Sequence, residues 1–152
     1  MLYNYIVSND NENFLKTIEQ LNNVDYISNI LSLYHLAVEK NSCESLHGLF
    51  KLKSPDFEEL CKLGEIAVER SNFDALSTLL AKNSKIANKL ILQACQELVV
   101  PSKSFQINYD NRIRCLKLIL EQKNVNVRQE DGKLICIYFL MNIKFIFFIK
   151  LP

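Results

Sequence analysis

Apolar residues recur along most of this chain at every third or fourth position, the period of an amphipathic helix. Leu33, Leu36 and Ala37 lead to Lys40; Leu63, Ile66 and Ala67 lead to Arg70. The pattern predicts a helix between Asp25 and Lys40, shorter ones near 43–52 and 73–82, and others over 85–99 and 112–122. Ser54-Pro55-Asp56-Phe57-Glu58-Glu59 reads as a helix start, with Ser54 as the cap, Pro55 in the first turn and acids at the positive end of the dipole. Ser84 is expected to cap the helix after it in the same way. The breaks at Asn41-Ser42 and Ser71-Asn72 are short, so consecutive arms are expected to be antiparallel neighbours.

The hydrophobic pattern also repeats. Leu33 to Ser54 is written again as Leu63 to Ser84, with Ala37 on Ala67, Val38 on Val68, Glu39 on Glu69 and Lys40 on Arg70. Leu46 and Leu49 fall on Leu76 and Leu79. A fixed period near thirty implies stacked units that bury their apolar faces on each other. A looser first unit aligns Leu2, Tyr5, Ile6 and Val7 with Leu33, Leu36, Ala37 and Val38, and Leu15 and Ile18 with Leu46 and Leu49, at an offset of thirty-one. A fourth unit carries an insertion, Pro101 to Asn111, read as a loop. Ala37 and Ala67 predict close helix approach inside each hairpin, where a larger side chain would overpack by about 1–3 kcal/mol. The expected fold is all-α: a right-handed α-solenoid of about four helix-turn-helix repeats over 1–133, followed by an irregular hydrophobic segment at 134–152.

Several of these residues resemble the ankyrin-repeat family. Cys115-Leu116-Lys117-Leu118-Ile119-Leu120-Glu121, followed by Asn124-Val125-Asn126-Val127 and Asp131-Gly132, is similar to its VKLLLE helix, DVNA turn and DxxG approach. His35-Leu36-Ala37 resembles its HLA. No unit holds an intact TPLH, and Asn41 and Ser71 stand where the family places glycine between the two helices. The resemblance implies non-catalytic protein binding, a structural role for His35 and no cofactor. Such repeats encoded by AT-rich codons resemble host-directed proteins of intracellular bacteria, which implies the cytoplasm or a host cytosol.

Composition narrows the chemistry. Net charge is +1, which gives no bulk attraction for nucleic acid or an anionic membrane. Five cysteines, Cys43, Cys61, Cys95, Cys115 and Cys136, are an odd number lying within apolar patterns, which points to free thiols in a reducing compartment. Cys43 and His47 share metal-ligand spacing but lack a third ligand nearby. His35 with Cys61 or Cys95 has no nucleophile signature. Gly48, Gly64 and Gly132 are isolated, so no phosphate-cradling loop exists. Lys51, Lys53, Lys82, Lys85 and Lys89 read as solvated faces.

What remains is a polar stripe. Glu39-Lys40 and Glu69-Arg70 recur at the ends of equivalent arms and would line up along one side of a stack, and Tyr34 and Glu65 join them as candidate partner-binding residues. The plainer reading is helix-end solubility, with Lys40 and Arg70 at the negative end of the dipole. The tail, Leu134 to Ile149, is read first as an end cap or a truncated fifth repeat. A membrane anchor ranks below, because Asn142 and Lys144 interrupt a run shorter than the ~20 residues a bilayer needs. The expected partner is another protein. The rival readings are a protein tethered through 134–149 and an inactive fragment of a longer repeat protein.

Overall fold

A computed structural model of the chain describes residues 1–21, 29–99, 109–123 and 125. Among these residues the protein is all-helical, with eight α-helices and no strand. The helices are α1 (Leu2–Ser8), α2 (Asn11–Gln20), α3 (Ile30–Glu39), α4 (Cys43–Leu52), α5 (Phe57–Glu69), α6 (Phe73–Lys82), α7 (Ala87–Val99) and α8 (Tyr109–Leu120). The odd-numbered helices are first arms and the even-numbered ones second arms.

Three first arms end in the same way. Asn9, Asn41 and Ser71 hold φ of 57°, 54° and 60°. The next amide reaches back five residues: Asp10 to the Tyr5 carbonyl at 2.8 Å, Ser42 to Ala37 at 2.9 Å and Asn72 to Ala67 at 2.8 Å. This is a Schellman closure, which needs one left-handed residue. Asn tolerates that conformation through its short polar side chain, and Ser does so less readily. These are the turns that the sequence places at Asn41-Ser42 and Ser71-Asn72. Asp10 and Ser42 then cap the following helix, accepting from the amides of Asn13 and Ser45.

Each first arm packs on its own second arm and on the next first arm, and the second arms likewise follow one another. The buried residues explain this. Ala37-Val38, Ala67-Val68 and Ala94-Cys95 are all at most 3% exposed on α3, α5 and α7. Leu46 and Leu49, Leu76 and Leu79, and Leu116 and Ile119 are equally buried on α4, α6 and α8. Burying one such large aliphatic side chain is worth roughly 1.5–3 kcal/mol. Two glycines set the spacing between units. A Cβ on Gly48 would lie 2.9 Å from Phe14 on α2, and one on Gly64 would lie 2.6 Å from Leu90 on α7.

Several expectations are corrected. The turn residues Asn9 and Asn41 are thirty-two apart, not thirty-one. Hence Ile6, at 1% exposed, occupies the place of Val38, while Val7 is 45% exposed. Phe14, left out of the sequence alignment, is fully buried. Asp56, not Ser54, caps α5: its carboxylate takes the Glu59 amide at 2.8 Å while Glu59 takes the Asp56 amide at 2.9 Å. This reciprocal box satisfies two free donors at once, which Ser54 could not do. Ser84 opens a 3-10 turn, Ser84–Ile86, led by Asn83, and α7 begins only at Ala87. Residues 109–111 of the expected insertion loop form the first turn of α8, where Asp110 meets the helix dipole favourably. Asp25, residues 101–108, most of 124–132 and the tail at 134–149 lie outside the described residues. Among the described residues no helix is long and apolar enough to cross a membrane.

Candidate partner-binding surface

Polar groups tie neighbouring hairpins together near their turns. The Asn72 side chain leaves its own helix uncapped and donates to the carbonyls of Val38 at 2.7 Å and Glu39 at 3.2 Å. Asn41 donates to the Asp74 carboxylate at 2.8 Å and accepts from the Ala75 amide at 2.9 Å. Arg70 reaches Glu39 of the preceding unit at 2.8 Å. Thus two of the stripe residues bridge successive units. Lys40, Glu65 and Glu69 are exposed, and the Glu65 carbonyl accepts from Gln93 at 3.2 Å.

Tyr34 does not belong to the stripe. It is 1% exposed, its hydroxyl donates to the Lys53 carbonyl, and its ring lies 5.6 Å from Phe50. Burial pushes its phenol above the ordinary range, so it stays protonated. It closes the end of the α3–α4 hairpin and offers nothing to a partner. The same ring neighbourhood continues outward, with His47 edge-on to Phe50 and the Lys82 ammonium 5.2 Å above it.

The outward faces of the first arms present two kinds of surface. Between α1 and α3 runs a groove of about 280 Å³ lined by Tyr3, Leu31, Ser32, His35, Leu36 and Glu39. Tyr3, Leu31 and the adjoining Val7 are among the few large apolar side chains left in water, at 56%, 41% and 45%. On α5 the exposed row is Glu58, Lys62, Glu65 and Glu69. Glu39 joins the two, lining the groove at one end and holding Arg70 beyond α5. The sequence reading did not bring Tyr3, Leu31 and His35 together on one surface. Its available signal was the spacing of Leu31, His35 and Glu39, four residues apart on the side of α3 opposite the core.

The other chemical candidates are placed plainly. His35 is exposed in the middle of α3, so the structural role inferred for it from the resemblance is withdrawn. His47 is exposed and Cys43 half-buried on one turn of α4. Among the described residues no group of three or more His, Cys, Asp or Glu side chains converges. Burial raises the thiol of Cys43, with the Glu44 carboxylate adding to it, and burial also raises Cys61. Cys115 is pushed up to about 11 by burial. A thiol held protonated is a poor nucleophile. Compared with family models, curated proteins and solved structures, the chain has no significant match.

Proposed function

We propose that this chain is a non-catalytic protein-binding module, an open row of helical hairpins of the ankyrin type that presents its first-arm side to another protein. The observation that carries this reading is the two-series packing of the helices: α1, α3, α5 and α7 follow one another, so their outward sides make one continuous face. The shared Schellman turns at Asn9, Asn41 and Ser71 support it, since equivalent units need equivalent closures. A face with exposed apolar side chains beside charged ones has the make-up of an interaction surface.

The test is site-specific photocrosslinking of the full chain in cell extract. A crosslinking residue at His35 samples the first-arm face, and one at His47 samples the second-arm face. A discrete protein adduct from His35 and none from His47 is expected. Adducts from His47 alone would overturn the assignment of the face.

A further inference from the structure

The two ends of the row differ in what they leave in water. At α1, Tyr3 and Val7 are 56% and 45% exposed. At the other end the described apolar side chains of α7 and α8 are all buried or half-buried. Three of them stand where earlier units meet the unit that follows. Gly64 of α5 lies under Leu90 of α7, and in the register that sets Ala94 on Ala67 its place on α7 is taken by Ile91. Phe73 of α6 carries the Arg114 guanidinium of α8 at 4.1 Å, and the register that sets Leu116 on Leu76 puts Ile113 in its place. Phe50 of α4 carries the Lys82 ammonium of α6, and its successors are Leu80 and then Leu120. Among the described residues no helix follows α8, yet Ile91 is 7% exposed and Ile113 and Leu120 are half-buried. We propose that residues 134–149 of the same chain cover this end, with their apolar side chains on Ile91, Ile113 and Leu120.

A row of stacked units needs a polar outer face on its last unit or a cover over it, and these three positions are aliphatic. The chain itself is placed to supply the cover. Beyond α8 the Val125 amide bonds to the Gln122 carbonyl at 3.1 Å, and Val125 packs half-buried on the core. Residues 126–133 then separate it from the apolar run. Eight residues can span up to about 26 Å, against about 8–10 Å between neighbouring helix axes, so either arm of the last hairpin is within reach. The run from Leu134 to Ile149 is apolar at every position but Asn142 and Lys144. Left in water, such a run would make the molecule adhere to its neighbours. Packed on α7 and α8, the run and the end of the row shield each other. The contact lies at the end of the row and not on its first-arm side, so it does not depend on the protein-binding reading above.

The test places a photocrosslinking side chain at half-buried Leu120 in the purified full chain and reads the products by mass spectrometry of tryptic peptides. An adduct to residues 134–149 within one chain is expected. An adduct to a second chain that grows with concentration would overturn the proposal, and so would one confined to α6 and α7. Vesicles of anionic lipid are expected to leave the adduct unchanged; its loss on capture of the chain would assign the run to a membrane instead. Amide hydrogen exchange gives a second readout. Phe145→Asp is expected to speed exchange in α7 and α8 by at least about tenfold and to leave α3 and α4 within about twofold. Tyr3→Ser, at the opposite end, is expected to leave α7 and α8 unchanged. Exchange in α7 and α8 that Phe145→Asp does not alter would contradict the cover. If Phe145→Asp unfolds the whole chain, with α3 and α4 exchanging as fast as α7 and α8, the crosslink from Leu120 decides.

Discussion

The middle of this molecule and its beginning are built from the same parts but joined differently. Between α3–α4 and α5–α6, three hydrogen-bonded links cross near the turns: Asn72 to two carbonyls, Asn41 to Asp74 and Ala75, and Glu39 to Arg70, with the Lys82 ammonium over Phe50 besides. Between α1–α2 and α3–α4, the corresponding polar link is Asn11, which meets Ser42 and Ser45 at 3.4 and 3.5 Å. The α1 helix has 7 residues and no side-chain cap, and Tyr3 and Val7 stay in water. The residue after the left-handed turn makes the difference: Asn72 reaches back to the carbonyls of the preceding hairpin, whereas Ser42, at the same place one hairpin earlier, has a short hydroxyl that accepts from the Ser45 amide of its own helix.

Core truncation should expose the difference most. Leu79→Ala, at a fully buried position, is expected to cost about 2–5 kcal/mol in urea unfolding, and half-buried Leu15→Ala clearly less. Similar losses would mean that the two regions are packed equally well.

Alkaline titration comes next in size. Cys115 has an ordinary thiol pKa of 9.0 and is raised to about 11 in the folded chain. A raised folded pKa means that its contribution is complete below the unfolded value and is lost as pH climbs through 9.0 to about 11. The loss is on the order of 2 kcal/mol, and Cys115→Ala should remove that part of the decline. An unchanged pH profile in the variant would assign the decline to other groups.

The inter-unit links follow. Asn72→Ala removes a donor from the Glu39 carbonyl and one of two donors from the Val38 carbonyl, which keeps the Asn41 amide, and is expected to cost about 1–2 kcal/mol, whereas Asn11→Ala costs about 0.5 kcal/mol. The smallest effect is the most specific. Ser71→Gly relieves a serine held at φ 60° and should gain about 0.5–1 kcal/mol. Asn41→Gly relieves the same backbone but removes two hydrogen bonds, so it should lose stability. A similar gain from both glycine variants would show that the two Asn41 hydrogen bonds contribute nothing net.

The sequence made the middle legible because 33–84 contains the same pattern twice, at one spacing. The first unit was harder. Leu2, Tyr5, Ile6 and Val7 are so rich in apolar residues that a shift by one position aligns as well as the true one. Only the left-handed turn at Asn9 decides between them. The Ser54 cap was misplaced because Ser54, Asp56 and Glu59 are all capping residues, and the reciprocal bond that chooses Asp56 is a matter of geometry. Of the candidate surface, Glu39, Lys40, Glu65, Glu69 and Arg70 were legible as recurring helix-end and helix-face charges. Tyr34 was not excluded, because a phenol suits either side of a surface. The groove was invisible because Tyr3 and Leu31 meet only through tertiary packing.

The row itself is best tested by double electron–electron resonance, with spin labels carried on unnatural side chains that spare the cysteines. One label sits at Tyr3 and the other at Lys62 or Lys89, exposed on α1, α5 and α7. An open row places α5 two steps and α7 three steps from α1, so the separations should rise from about 20 Å to about 30 Å. A distance to Lys89 no longer than that to Lys62 would mean that the helices close on themselves, and no continuous first-arm face would exist.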